Sequence, residues 1–220
     1  EQACINSCKQ QGDVHIIRAY PFGEAIRQTY ELAIDLNQKW TPVIDADVIM
    51  YPDTIEKGIA EVGNARDVFC IDGRTDDKIM MKHRRAGIHI YKTEYLKRAF
   101  EFIDNNQLKP ESHVRREMER KGLHTFTGRT IFGRHDYEQY YKDLWRKSVC
   151  QTKKLAKMIA RSGIRNRWAE QALNDIDYRV ILAAHEWAEK NNPEIFIDSR
   201  ISYDAEAQLQ RLKIVEKKPI

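Results

Sequence analysis

TPVIDADVIMYPDTIEKGIAEV, residues 41–62, is the stretch that decides the fold. Val43, Ile44, Ala46, Val48, Ile49 and Met50 form an apolar, β-rich run and predict one buried strand over Pro42–Met50. Asp45 and Asp47 interrupt it. Two ionised carboxylates in such a run are costly unless they are paired, solvated or bound to a metal. At i, i+2 on an extended chain they point to the same side, about 7 Å apart along it. Asp53, with Glu56 three residues on, predicts a capping box for a helix reaching Val62. The carboxyl end of a strand in an open α/β sheet is also where ligands bind. Oxygen donors there suit Mg²⁺ or Mn²⁺, which clamps a diphosphate and stabilises it as it leaves. The plainer alternative is a strand end whose acids face water, and the apolar flanks argue against it.

Working outward, strands and helices alternate. His15–Tyr20 reads as a strand ended by Pro21, and Phe22, Ala25, Ile26, Thr29, Tyr30, Ala33 and Leu36 recur at helical spacing. Two further strands are predicted at Asp67–Asp72 and Ala86–Tyr91. Thr93 is placed to cap a helix carrying Tyr95, Leu96, Ala99, Phe100 and Ile103. Pro110-Glu111 opens another helix, and Gly122 closes it. Short strands follow at Leu123–Phe126 and Thr130–Phe132. The expected class is α/β, a mixed but mainly parallel sheet with helices on both faces. After His135 the pattern turns helical. A stripe runs from Tyr137 through Leu144, Trp145 and Val149 to Ile159, Gly163 breaks it, and a second helix spans Trp168 to Glu189. Asn192-Pro193 reads as a turn, Ile195–Asp198 as a short strand, and the last residues as a polar helix and tail. Residues 1–135 therefore read as an α/β domain and 136–220 as a helical extension.

The bulk numbers fit this organisation. With 220 residues, 42% hydrophobic and 32% charged, the chain is neither disordered nor too small for a core. A net charge of +4 suits an anionic ligand without pointing to nucleic acid. No apolar run reaches the roughly 18–20 residues of a membrane span. The cysteines, Cys4, Cys8, Cys70 and Cys150, are few and scattered, as expected in the reducing cytoplasm. Cys4 and Cys8 share a helix face at i, i+4, but no second Cys/His pair follows at zinc-ligand spacing, so they read as small buried helix residues.

Residues 41–62 resemble the Asp-x-Asp segment of GT-A-fold glycosyltransferases, especially the large inverting family two: a strand, the acidic pair, a proline and a helix opening with an acid. HIIRAYPFGEAIRQTYELAIDL (15–36) is similar to that family's second strand and following helix, and EQACINSCKQQ (1–11) to its first helix. The resemblance implies a first strand, holding part of the base pocket, before residue 1. RRAGIHIYKTEYLKRA (84–99) resembles the acceptor-side strand and helix, and KPESHVRREMERKG (109–122) the Glu-Asp motif. HTFTGRTIFGRH (124–135) ends in a histidine where many members place a late metal ligand. One departure stands out. The motif's second acid, commonly the general base, is Ser112 here.

The resemblance implies an inverting transferase that takes a sugar from a nucleotide-sugar donor to a saccharide or lipid-linked hydroxyl, with Mn²⁺ or Mg²⁺ as cofactor. Asp47 would bind the metal, Asp45 would share it or orient the nucleotide ribose, and His135 would complete the shell. Glu111 is the candidate base. Its position directly after Pro110 also suits a carboxylate that merely starts its helix, where the dipole lowers its pKa. Arg18 and Arg27 flank the first strand–helix turn, where guanidinium forks would suit a diphosphate, although such side chains are more often simply solvated. Asp72, Asp76 and Asp77 read as a polar loop able to meet sugar hydroxyls, and Asp136, with Gln139, as a helix cap. Asp175 and Asp177 repeat the Asp-x-Asp pattern on a helix, where i, i+2 residues diverge.

Lys142–Glu170 holds nine Lys/Arg against two acids. This basic stretch suits contact with anionic lipid at the inner membrane surface. Its helix–Gly–helix look raises the alternative of a helix-turn-helix nucleic-acid module, which would leave the buried acidic pair unexplained. A sugar nucleotidyltransferase is a further alternative, since it too uses a carboxylate-bound metal and a nucleotide.

Overall fold

The computed structural model describes residues 1–107, 109–194 and 204–217. The chain forms two compact units, Glu1–Lys78 with Lys82–Tyr137, and Ile79–Met81 with Glu138–Ile220.

The first unit runs α1 (Gln2–Cys8), α2 (Phe22–Leu36), β1 (Trp40–Ile44), β2 (Val48–Met50), α3 (Thr54–Val62), β3 (Val68–Asp77), β4 (Lys82–Lys92), α4 (Leu96–Ala99), α5 (Pro110–Arg120), β5 (His124–Phe126) and β6 (Ile131–His135). The sheet order is β1-β4-β3-β6-β2, with β5 also beside β3. Helices cover both faces, as expected. Phe69 and Tyr91 pack with Ile26 and Tyr30 of α2, Leu96 of α4, and Val114 and Met118 of α5. Val68, Ile71, Ile88 and Ile90 enter a second cluster with Cys4 and Cys8 of α1 and Val62 of α3. Along β4, with Ile88 and Ile90 on one face and Tyr91 on the other, this is the period-two pattern of a strand buried on both sides.

The expectation of a mainly parallel sheet is corrected. Among the described residues, β1–β4, β3–β4 and β2–β6 are antiparallel, and β3–β5 and β3–β6 are parallel. The reason is a hairpin. Residues 73–85, read as a loop, continue both neighbouring strands, leaving only 78–81 to join β3 to β4. A parallel crossover needs a dozen or more residues. Asp76 and Asp77 are thus strand residues. Asp72 lies at a register shift between Asp72 and Arg74.

The single strand predicted over Pro42–Met50 is two. The Asp45 N–H donates to the Gly87 carbonyl at 2.8 Å, and the Val48 N–H to the Asp45 carbonyl at 3.0 Å. These bonds turn the chain at Asp45–Asp47, after which β2 pairs with β6 instead of β4. His15–Tyr20 forms no strand. Among the described residues, no sheet pairing includes it, and Ile16 and Tyr20 are about half exposed. Asp53 adopts left-handed φ and makes no side-chain cap, so the predicted capping box does not form. The helix after Thr93 is short, flanked by 3₁₀ turns at Thr93–Tyr95 and Phe100–Phe102.

The second unit contains α6 (Tyr141–Lys154), α7 (Ala156–Ser162), α8 (Ile164–Gln171), α9 (Ile176–Asn191) and α10 (Ala205–Arg211). Leu155 breaks the first predicted helix. Asp175 breaks the second, because its carboxylate caps α9 by accepting from the Asp177 N–H at 2.8 Å. The core gathers Trp145, Trp168, Ile181 and Ala184 around Ile79 and Met80. The Trp168 indole donates to the Ile79 carbonyl at 2.7 Å, satisfying a buried donor. The strand predicted at Ile195–Asp198 lies outside the described residues. Among the described residues, no helix is long and apolar enough to cross a membrane.

Candidate metal centre and active site

The break between β1 and β2 carries the acidic pair, and the β2–β6 ladder brings a histidine to it. Val48 pairs with His135, the last residue of β6, and the Asp136 N–H donates to the Asp47 carbonyl at 3.2 Å. As a result, one ligand atom each from Asp45, Asp47 and His135 lies within 4.8 Å of the others. The His135 Nε2 faces Asp47 Oδ1 at 3.4 Å. On the far side of the ring, Nδ1 lies 2.9 Å from Asp77 Oδ2 and 3.1 Å from Asp136 Oδ2. Asp77 stands opposite His135 in the β3–β6 register, is fully buried, and also accepts from the Arg84 guanidinium. Asp136, expected to cap a helix, is instead buried with φ 67° beside His135, and α6 begins at Tyr141.

Two neighbours hold this turn. Gly87 adopts φ +71°, and a Cβ there would lie 2.5 Å from Val48 Cγ2 and 3.1 Å from His135 Cδ2. Only glycine lets β4 pass so close. From the other side, α1 reaches in through the Cys4 thiol, which donates to the Asp45 carbonyl at 3.5 Å, and Ser7, which accepts from the Met50 N–H at 3.0 Å. Cys4 and Cys8 are both buried, as their spacing predicted.

The electrostatics follow from crowding. Burial, reinforced by the negative charges of Glu111 and Asp47, pushes the Asp45 carboxyl up to about 7. Burial alone would discharge His135. The carboxylates of Asp136, Asp77 and Asp47 overcome it and raise the imidazole to about 9.

A second cluster adjoins the first through that Glu111–Asp45 interaction. Glu111, in the first turn of α5, lies with Oε2 3.6 Å from His89 Nε2. The His89 Nδ1 is 3.2 Å from Asp72 Oδ1 and 2.9 Å from Arg115 Nη1. Arg115 Nη2 lies 3.7 Å from Asp72 and donates to Ser112 Oγ at 3.3 Å. Burial works against ionisation here, but the charges of His89 and Arg115 hold Glu111 below the usual carboxylate range. The same two groups do this for Asp72.

Of the residues singled out in the sequence, Asp45, Asp47 and His135 come together and Glu111 is their neighbour. Arg18 and Arg27 are engaged elsewhere: Arg18 pairs with Glu1, while Arg27 lies 3.6 Å from Glu24 and stacks over Phe100. Asp76 accepts from the Tyr137 hydroxyl at 3.0 Å. In the basic stretch, Arg165 pairs with Glu186 and Glu189 of α9, and Ile164 and Trp168 are buried. Sequence reasoning missed His89, Arg115 and Gly87. His89 carried the same signal as the aspartates, a polar residue inside the apolar run Ile88–Tyr91. Compared with known proteins, the chain matches no family model, no curated protein and no solved structure.

Proposed function

We propose that this chain is a GT-A-like, metal-dependent glycosyltransferase domain that moves a sugar, with inversion, from a nucleotide-sugar donor to a saccharide or lipid-linked hydroxyl. One observation carries the reading: Asp45, Asp47 and His135 converge at the turn between two strands. Two carboxylates and an imidazole fit a divalent cation, and the imidazole favours Mn²⁺ over Mg²⁺. Both aspartates are only half-buried, which leaves a side open to a ligand. A bound cation there would supply charge neutralisation for a departing nucleoside diphosphate.

The chain's own residues take the remaining roles. Asp47 holds the cation directly, and Asp45 shares it or orients the ribose. His135 would offer Nε2 on releasing that nitrogen's proton as the cation binds, because Nδ1 is held by Asp77 and Asp136. Glu111, close enough for its charge to act on Asp45, accepts the proton of the acceptor hydroxyl. The basic helices of the second unit are read as a contact for anionic acceptor headgroups.

Calorimetric titration of a nucleoside diphosphate tests the reading. Binding is expected in Mn²⁺, to be lost in EDTA, and to be lost in Asp47→Asn. Equal affinity with and without the cation would sink it.

A further inference from the structure

We propose that His89 is the positioning residue for Glu111, holding that carboxylate ionised and oriented so that it can take a proton. The inference rests on the reading of Glu111 as the base. His89 is buried on β4 between two acids from different elements, Asp72 of β3 and Glu111 of α5. Arg115 Nη1 lies beside both ring nitrogens, 2.9 Å from Nδ1 and 3.2 Å from Nε2. In the neutral ring, whichever nitrogen is bare accepts from Arg115. In the cation both nitrogens carry a proton, Nδ1–H facing Asp72 and Nε2–H facing Glu111. Only the cation therefore directs a proton at both acids at once.

Charge counting decides which form prevails. Asp72 and Glu111 are negative and Arg115 is positive, so a cationic His89 brings this buried group to neutrality. The groups facing His89 are Cys70 and Asp72 from β3, Tyr91 from its own strand, and Glu111 and Arg115 from α5. Arg85 of β4 reaches Asp72 at 3.8 Å, and Asp45 adds negative charge from the turn. Against burial, the acids raise the imidazole well above its ordinary value of 6.5. Without that cation, Glu111 would stand near Asp45 and Asp72 with Arg115 as its one positive neighbour in the group. It would then hold its own proton more tightly and be free to accept one only at higher pH.

The test reads both partners by NMR in the full, metal-free chain. In wild type, the His89 ring nitrogens should titrate above 6.5 and the Glu111 carboxyl carbon below 4.5. In His89→Gln, the Glu111 midpoint should rise by about one unit or more, tenfold in its protonation equilibrium per unit. Coupling is reciprocal, so in Glu111→Gln the His89 midpoint should fall. A second readout is the acid limb of kcat/KM. It should move to higher pH in His89→Gln while the affinity for nucleoside diphosphate in Mn²⁺ stays put. An unmoved His89 midpoint in Glu111→Gln overturns the inference and leaves the base assignment standing. That arm needs no His89 variant, so misfolding of His89→Gln cannot shelter the idea. Normal turnover in Glu111→Gln overturns the base assignment, and this inference with it.

Discussion

Replacing Gly87 by alanine probes how tightly the acidic turn is built. The residue sits at φ +71°, a region that costs an L-residue about 1–2 kcal/mol. The added methyl would also lie 2.5 Å from Val48 Cγ2 and 3.1 Å from His135 Cδ2. Val48 is fully buried and cannot swing away, so an overpacking cost of about 1–3 kcal/mol is expected. Together these give roughly 2–5 kcal/mol, a large share of an ordinary domain's 5–15 kcal/mol. Gly122→Ala is the control. It lies in the same unit at φ +82° with nothing within 4 Å of its Cβ, so it should show the backbone cost alone. Denaturant unfolding of the two variants isolates the steric part as their difference. Gly87→Ala should also weaken Mn²⁺ binding, because the methyl presses on the His135 ring and lies 3.6 Å from Asp45 Cβ. Equal destabilisation by both variants would refute the close approach of β4 to the turn.

Other expectations concern the site and the second unit. Asp77→Asn should lower Mn²⁺ affinity about 10–100-fold, as second-layer partners of ligating histidines do, with no further loss in a His135→Ala background. Full additivity of the two changes would show that Asp77 does not act through His135. Asp72, whose folded-state pKa is depressed, contributes stability above its ordinary value of 3.8 that is lost as pH falls through the lower folded value. Asp72→Asn should therefore flatten the stability profile below about pH 4, and an unchanged profile from acid titration with circular dichroism would contradict it. Any DNA affinity of the basic helices should ignore sequence and vanish with salt. Tight binding of one defined site at physiological salt would favour the nucleic-acid alternative.

The residues at the centre were legible because they violated their surroundings. Asp45 and Asp47 announced themselves as charges in an apolar run, and Pro110-Glu111 as a helix start. The topology was not legible, for a specific reason. Charged residues such as Arg74, Asp76, Lys82 and Arg84 look like a solvated loop, yet they continue β3 and β4. Asp77 and Arg84 satisfy each other across that hairpin, and no pattern of apolar residues could report this. Asp136 misled in the same way. Its type and spacing fit a helix cap, but the ladder between β2 and β6 draws it inward beside His135. Local chemistry was readable from the chain, whereas partnerships between residues distant in sequence were not.

Ile79–Met81 make the boundary between the two units different in space and in sequence. A cut after Tyr137 yields a fragment whose hairpin tip carries Ile79 and Met80 without the helices that bury them. Each such side chain forfeits about 1.5–3 kcal/mol when left in water. The complementary fragment, starting at Glu138, has a core with a vacancy and an indole at Trp168 without its carbonyl acceptor. Neither piece is expected to fold as a self-sufficient module. Co-expression of the two halves, with recovery of a stoichiometric pair, is the form of dissection this architecture permits, and grafting the helical part onto another protein would require transplanting the three-residue tip as well.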